Sequence, residues 1–517
     1  MPVELYAATL RGICALAVLS ACTAATHFRA LDPRIAHVTG GTILGVTKAN
    51  VTAFYGVPYA RAQRYGAAAP TSWAGVRDAT APAQPCVQMA HGVIGIEDCL
   101  VANVFMAHDD DDDGDDDGNR EDEEEDEEGI PYRPIMLHIH GGSMNVGRAV
   151  TDGALLAKRA RAVVVAVQYR LGPLGFWAAN TSAPRNYGLE DVLFALQWTR
   201  DNALALGGDP KRVMIFGVSA GGAAVAHVLT VAPPGLVFSA AMESPGGHQG
   251  WMAPGSRPDD DFVAPRVLAA ASSTTAAKVA CAVDDVVCLR KVPNSDIMFA
   301  AEGVRFAPSL VRHRPADPRS VDGVESPLAL LRRGAWQGAL IVGGQSCESC
   351  GAAEALAGRP RNLTHFEYAD ALKTYFAGSR LDWFDVAARY TPRVATEGRW
   401  RTLARIMSDS GHACSAQLHA LAAGGWIYEF EKATAGLPGA VHGSDEPWLF
   451  QAKDSPLAVA MAYYWGSLAH AGDPNYSGGV QWPQAPAVLG LDDIVSTLNG
   501  TRRPECFDFW APWLGFY

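Results

Sequence analysis

The pentapeptide Gly217-Val218-Ser219-Ala220-Gly221 is the feature that most constrains the fold of this chain. An apolar run precedes it at residues 213–216, and a run of small residues follows at 222–225. A strand, a sharp turn and a helix form the context in which such a pattern lifts a serine hydroxyl out of a sheet. Glycine is needed because a Cβ at either end would crowd the strand against the helix. The pattern predicts a strained turn with Ser219 as a candidate nucleophile.

Apolar runs of strand length recur along the 517 residues and alternate with helical patterns. Residues 162–167 are continuously apolar and rich in β-branched side chains, which is typical of a buried parallel strand. Residues 188–202 have helical spacing, and further strands are predicted at 340–342 and 425–430. This alternation indicates an α/β fold with a mostly parallel sheet. Since no linker divides the chain, residues 26–517 are expected to form one domain.

The net charge of −13 comes from one acidic segment. Residues 109–128 contain sixteen acidic residues and one arginine, a net of −15, so the rest of the chain carries −13 + 15 = +2. No basic stripe indicates a nucleic-acid partner. The tract lies between predicted strands at 100–106 and 135–140, so we expect a disordered loop of a β-hairpin. A solvated loop without function is the first interpretation, and a basic partner or a cation is the alternative.

The N-terminus has the pattern of a secretory signal peptide, predicted over residues 1–25. Arg11 precedes an apolar run at 12–19, and small residues follow it. That run is too short to span a bilayer, and no later stretch is apolar enough, so no transmembrane segment is expected. Secretion is therefore predicted. The alternative is a lipid anchor, because Leu19-Ser20-Ala21-Cys22 fits a bacterial lipoprotein cleavage site and would leave Cys22 lipidated.

Two further features are consistent with an extracellular protein. Eight of the ten cysteines lie outside the predicted leader, an even number that fits an oxidising compartment. Candidate glycosylation sites of the form Asn-x-Ser/Thr occur at Asn50, Asn180, Asn362, Asn475 and Asn499.

Other sequence blocks surround the pentapeptide in a characteristic order. They are FYGVPYA (54–60), EDCL (97–100), HGG (140–142), YRLGPLGF (169–176), NYGLED (186–191), GGDP (207–210), AVHG (440–443), YW (464–465) and CFDFW (506–510). With these blocks, roughly residues 38–515 resemble the type-B carboxylesterase and cholinesterase family of α/β-hydrolases. The resemblance implies the α/β-hydrolase fold, with a large central, mostly parallel sheet flanked by helices.

The resemblance also implies a catalytic triad of Ser219, Glu348 and His442. His442 lies in the AVHG block, and an imidazole can take the serine proton because its pKa lies near neutrality. Glu348 follows the strand predicted at 340–342 and would accept the other imidazole N–H, which fixes the tautomer.

The oxyanion hole is expected from the backbone N–H groups of Gly142, Ser143 and Ala220. These residues would make the chain a secreted serine hydrolase of small neutral carboxylic esters, acting through an acyl-enzyme. No cofactor and no metal are expected. A homodimer is left open.

The family's three disulfides imply the pairs Cys86–Cys99, Cys281–Cys288 and Cys414–Cys506. Cys347 and Cys350 remain, one on each side of Glu348. A short bridge that stiffens this loop is the first interpretation. Zinc is the weaker one, since no second ligand pair accompanies the C-x-x-C.

Three departures from the family pattern bear on activity. Ser143 stands where the family has glycine, and Val218 stands where it has glutamate. The segment between Cys86 and Cys99 has no aromatic residue to bind a quaternary ammonium, so selectivity for choline esters is not expected. Trp251 is a candidate for the acyl pocket or for the core. The alternative function is a catalytically weak or inactive family member used for binding, adhesion or a surface coat.

Overall fold

The computed structural model describes residues 32–108, 132–180, 184–246, 265–304, 306–308, 327–379, 381–452, 455–498 and 502–514. The predicted signal peptide with Cys22, the acidic tract, Trp251 and Asn499 lie outside these ranges.

An eleven-stranded sheet is the centre of the molecule, in the order β18-β17-β16-β15-β14-β13-β9-β10-β8-β4-β3. The strands are β1 (Ile35–Val38), β2 (Gly41–Leu44), β3 (Val46–Lys48), β4 (Val51–Pro58), β5 (Val76–Asp78), β6 (Gln88–Met89), β7 (Val93–Ile94), β8 (Val101–Ala107), β9 (Arg133–Ile139), β10 (Val163–Val167), β11 (Trp177–Ala178), β12 (Pro184–Arg185), β13 (Gly208–Val218), β14 (Ser239–Glu243), β15 (Ala339–Gln345), β16 (Trp426–Phe430), β17 (Val488–Leu491) and β18 (Ser496–Leu498).

The strands from β17 to β10 in this order run parallel, and the outer strands at both edges are antiparallel. The prediction of a mostly parallel central sheet is therefore confirmed. Parallel strands need crossover connections, and the helices that make them cover both faces of the sheet.

The hairpin prediction for the acidic tract is wrong. β8 and β9, which flank the tract in sequence, are not neighbours in the sheet, because β10 lies between them. β10 pairs antiparallel with β8 and parallel with β9. Its five residues are all buried and apolar, so it fills an interior position of the sheet. The tract therefore connects two strands separated by a third.

Helices connect many of these strands. They are Ala154–Arg159, Gly172–Gly175, Tyr187–Asp201, Ala220–Val231, Pro265–Lys278, Val286–Lys291, Asn294–Ala300, Pro327–Arg332, Cys350–Ala357, His365–Tyr375, Trp383–Arg389, Thr391–Glu397, Arg399–Ser408, Cys414–Ala423, Glu446–Phe450, Pro456–Ala471 and Ala511–Trp513, with a 3-10 turn at Leu204–Leu206 and π-helical turns at Asp409–Ala413 and Cys506–Trp510.

Each face of the sheet has its own hydrophobic core. Neighbouring residues of β9 show this, since Leu137 belongs to one buried cluster and Met136 to the other. Both faces are covered because successive side chains of a strand point in opposite directions. A third cluster joins the helices of the C-terminal third, around Trp400 and Trp510.

Within the described residues there are four disulfides, and they include the three implied by the family resemblance. The fourth joins Cys347 to Cys350, which supports the short bridge over a zinc site at this pair. In the part of the chain that the structure describes, no helix has the length and apolar character needed to cross a bilayer.

The predicted glycosylation sites differ in accessibility. Asn50, Asn180 and Asn362 are exposed. The Asn475 side chain instead donates to Asp473 Oδ1 and to the Trp482 carbonyl and accepts from the Trp482 N–H. A glycan at Asn475 would break these hydrogen bonds.

Candidate active site

The pentapeptide forms the predicted strand–turn–helix. β13 ends at Val218, the helix Ala220–Val231 follows, and Ser219 between them has φ 59° and ψ −121°. A Cβ added to Gly217 or Gly221 would lie 2.4 Å or 2.0 Å from the Ile139 carbonyl oxygen. Both glycines are therefore required, because the turn packs directly against the end of β9.

The structure brings the three predicted triad residues together. The Ser219 Oγ lies 2.8 Å from Nε2 of His442. Nδ1 of the same imidazole lies 2.7 Å from Oε2 of Glu348. Ser219 is partly exposed and Glu348 is buried, so the hydrogen-bonded chain runs from the surface of the site into the protein. This is the arrangement in which a base activates a serine and an acid orients the base.

Glu348 is held as a carboxylate by two donors that the sequence did not predict. The Ser244 hydroxyl and the Gln345 backbone N–H each donate to Oε1 at 2.6 Å. Burial opposes ionisation, but the hydrogen bond and charge of His442, with the Ser244 hydrogen bond, lower the pKa of Glu348 to about 2. The Cys347–Cys350 bridge closes the loop on both sides of this carboxylate.

The electrostatics of His442 suit a general base. Burial alone would lower the pKa of its imidazole, but the Glu348 hydrogen bond and the negative charges of Glu348 and Asp445 outweigh that effect. The pKa of His442 is therefore raised from its ordinary value.

The predicted oxyanion loop lies against the nucleophile. A Cβ added to Gly141 would lie 3.2 Å from the Ser219 Cβ. Gly142 has φ 109°, and a Cβ there would lie 1.9 Å from the Val146 carbonyl oxygen, so this position requires glycine. Ser143 has φ 54°, in the left-handed region, and is exposed. The roles of Gly142, Ser143 and Ala220 as oxyanion donors remain predictions.

Hydrogen bonds from neighbouring segments fix the path of this loop. Tyr169 Oη donates to the His140 carbonyl at 2.8 Å, and the Gly172 N–H donates to the Met144 carbonyl at 2.8 Å. Asn145 Nδ2 donates to the Ser143 carbonyl at 2.6 Å. Two of these hydrogen bonds come from the block at 169–176 and the third lies within the loop, and together they support its unusual dihedral angles.

A salt bridge connects two of the sequence blocks behind this loop. Arg170, next to Tyr169, makes a bidentate contact with the buried Asp191, at 2.7 Å from Nε and 2.6 Å from Nη2. Asp191 belongs to the helix Tyr187–Asp201. The ion pair therefore holds the block at 169–176, which donates hydrogen bonds to the loop, against a helix that packs on the sheet.

A second buried carboxyl group lies beside the turn and was not predicted. Glu243 of β14 pairs in register with Val218 of β13. Its Oε1 accepts from Trp465 Nε1 at 2.9 Å, and burial with the nearby charge of Asp445 raises its pKa well above the ordinary value. Burial also raises the pKa of Asp445, which accepts from Tyr428 Oη at 2.6 Å. A buried carboxyl group with a raised pKa therefore lies next to the position where the family has its elbow glutamate.

Another unpredicted neighbour of the three predicted triad residues is His412. It lies on the π-helical turn Asp409–Ala413, and its ring centroid is 4.3 Å from that of His442. Nothing in the sequence near residue 412 indicates a functional residue, because the two histidines meet only through tertiary packing.

The parallel sheet and the serine turn at the end of β13 define an α/β-hydrolase. The chain belongs to the carboxylesterase family, because the model of that family matches residues 32–506. The resemblance inferred from the sequence blocks is thereby confirmed.

Individual relatives match the chain to different extents. Carboxylesterase 4A of Bos taurus is 26% identical over 544 residues, covering 91% of this chain and 93% of that protein. Acylcarnitine hydrolase of Rattus norvegicus is 37% identical over 224 residues, which are 38% of this chain and only 36% of that protein. Neuroligin-2 of Homo sapiens is 28% identical over 82% of this chain and 58% of its own length. Among solved structures, a PNB esterase has a TM-score of 0.71 at 25% identity, covering 92% of this chain and 99% of its own.

The setting of His442 predicts the pH dependence of ester hydrolysis. The imidazole must be neutral to accept a proton, so kcat/KM should fall as the pH drops through its raised pKa, with an inflection above the ordinary value of 6.5. Glu348→Gln should shift the inflection to lower pH and reduce kcat by about 10³–10⁴-fold. Ser244→Ala, which removes one donor to Glu348, should reduce kcat much less. An unshifted inflection in Glu348→Gln would contradict this account.

Glu243 predicts a pH-dependent stability change. The pKa of Glu243 is higher in the folded protein than in the unfolded chain, so folding favours the protonated carboxyl group. The stabilisation from this group is present below the pKa that Glu243 has in the unfolded chain, and it is lost as the pH rises through the pKa of the folded state. Glu243→Gln should therefore raise the free energy of unfolding at pH 8 by about 1 kcal/mol or more, and should change it little at pH 4.5. Urea unfolding at both pH values measures this. Glu446→Gln is the matched control, because the pKa of Glu446 is lowered and the sign should reverse.

Proposed function

We propose that this protein hydrolyses small neutral carboxylic esters through an acyl-enzyme on Ser219. The observation that carries the proposal is the continuous hydrogen-bonded chain from Ser219 through His442 to Glu348, with the serine accessible at its end. Family membership and the esterases among similar structures support the same reaction type.

In the first half of the reaction, the Ser219 oxygen attacks the carbonyl carbon and Nε2 of His442 accepts the serine proton. The tetrahedral intermediate collapses when the imidazolium donates that proton to the leaving alkoxide, so an alcohol departs and Ser219 is acylated. In the second half, His442 takes a proton from water and the hydroxide adds to the acyl carbon. The bond to the Ser219 oxygen then breaks as the imidazolium returns the proton to that oxygen, so the carboxylic acid leaves with Ser219 restored.

The intermediate's negative charge needs donors that are fixed before the reaction begins. Gly142, Ser143 and Ala220 are the proposed N–H donors, and a loop held at three carbonyls provides such preorganisation. Glu348 stays ionised throughout, since its low pKa favours the carboxylate that stabilises imidazolium.

The residues around the site favour uncharged esters. The segment from Cys86 to Cys99 has no tryptophan, tyrosine or phenylalanine with which to bind a quaternary ammonium group. Secretion is part of the proposal, and the four disulfides support it because such bonds persist in oxidising compartments. The signal peptide, the lipid anchor at Cys22 and glycosylation of the exposed asparagines remain proposals.

The central test is turnover of p-nitrophenyl butyrate with matched labelling by a fluorophosphonate probe. Wild-type protein should hydrolyse the ester and take up the probe on Ser219. Ser219→Ala should lose the label and about 10³-fold or more of kcat, because no nucleophile remains. Peptide mapping by mass spectrometry locates the label. Turnover no higher than in Ser219→Ala, with no label on Ser219, would reject the enzyme and favour the binding or surface protein.

Ser143→Gly tests whether the unusual loop residue limits the reaction. The position has a positive φ, which glycine adopts without strain, and the family has glycine there. We expect the substitution to raise kcat by up to about tenfold, with KM little changed, if the serine side chain crowds the oxyanion. Steady-state kinetics decide this, and Ser444→Gly serves as the control beside the catalytic histidine. A lower kcat in Ser143→Gly would show that the serine itself contributes to catalysis.

A further inference from the structure

We propose that His412, His442 and Glu348 form a binding site for a divalent transition metal such as Zn²⁺, and that the bound ion blocks the catalytic base. Each residue offers one ligand atom, and these atoms all lie within 4.8 Å of one another. Two imidazole nitrogens and one carboxylate oxygen are a ligand set that Zn²⁺ takes readily, with a fourth position left for water.

The ligand atoms need little movement to coordinate an ion. Donors on one tetrahedral Zn²⁺ lie about 3.3 Å apart, given bonds of about 2.0–2.1 Å. His442 Nδ1 and Glu348 Oε2 are 2.7 Å apart, and the whole set spans no more than 4.8 Å. Side-chain movements of about 1 Å therefore bring the ligand atoms to the separations that a tetrahedral ion requires, without a change of the backbone.

The backbone that carries His412 is firmly anchored. Asp409, at the start of the same π-helical turn, accepts from Tyr390 Oη at 2.6 Å and forms a buried ion pair with Arg503. The turn ends at Cys414, which is disulfide-bonded to Cys506. Because the backbone is held at both ends, His412 keeps its place beside His442, and the site does not have to be assembled from a mobile loop.

Binding at this site is incompatible with catalysis. Nδ1 of His442 faces Glu348 and Nε2 faces Ser219, so both nitrogens of the imidazole are already used. A metal ion on Nδ1 displaces the proton shared with Glu348, and the neutral imidazole then carries its proton on Nε2, which can no longer accept one from Ser219. An ion on Nε2 occupies that acceptor directly. In either case His442 can no longer act as a base.

A second cluster in the described part of the chain, Asp409 with Cys414 and Cys506, does not offer an equivalent site. The two cysteines are joined in a disulfide, so they have no thiolate to give to a metal.

Isothermal titration with ZnCl₂ tests the site without reference to catalysis. Wild-type protein and Ser219→Ala should show the same tight Zn²⁺ site, while His412→Phe should weaken it at least tenfold. His412→Gln is a second variant, which replaces the ligand with a polar side chain and guards against a folding defect. All four proteins keep the acidic tract at 109–128, so any weak binding there is common to them. An equal affinity in wild type and both His412 variants would overturn the proposal.

The kinetic arm uses p-nitrophenyl butyrate and rests on the proposed function. Zn²⁺ should inhibit the wild-type enzyme, and EDTA should restore its activity. Without metal, the kcat/KM of His412→Phe should lie within about threefold of the wild-type value. The variant should need at least ten times more Zn²⁺ for the same inhibition. Unchanged sensitivity in His412→Phe would place the inhibitory ion elsewhere and reject the site. If wild-type protein shows no turnover at all, the esterase proposal fails, and the titration still decides the metal site.

Discussion

The close approach of the serine turn to the end of β9 is the constraint on which the site depends. The Ile139 carbonyl oxygen lies where a side chain on Gly217 or Gly221 would have to go. The end of β9 therefore places the proposed oxyanion loop directly beside Ser219, and β13 places Ser219, the proposed nucleophile, at the same edge of the sheet. Neither the serine turn nor the end of β9 could shift to admit a Cβ without moving Ser219 away from the loop that follows β9.

Carboxyl groups in two different environments surround the turn. Glu348 receives two short hydrogen bonds besides that of His442 and stays ionised. Glu243 and Asp445 are buried close to each other, and both have raised pKa values. Burial acts on all three, so the difference comes from the neighbouring charge, which is the imidazole of His442 for Glu348 and other carboxyl groups for Glu243 and Asp445. The same end of the sheet thus holds one carboxyl group with a lowered pKa and two with raised pKa values.

The departures from the family pattern have different structural consequences. Ser143 occupies a left-handed conformation that a serine tolerates at a modest cost, whereas the adjacent Gly142 has no room for any side chain. Val218 removes a carboxylate from the turn, but Glu243 on the next strand places one beside it in register. The triad geometry is intact despite both changes, which is why the proposal favours an enzyme over a binding protein.

The sequence by itself determined the serine turn and the parallel strands, because each depends on local pattern. Its ordered motifs, through their resemblance to the carboxylesterase family, implied three of the disulfides and the proposed triad of Ser219, Glu348 and His442. It did not determine that β10 separates β8 from β9, since strand order is a property of long-range pairing. Nor did it show that Ser244 donates to Glu348, that Glu243 neighbours Val218, or that His412 packs on His442. These contacts join residues far apart in sequence, and only the packing of strands and helices around one sheet edge brings them within a few ångströms of the serine.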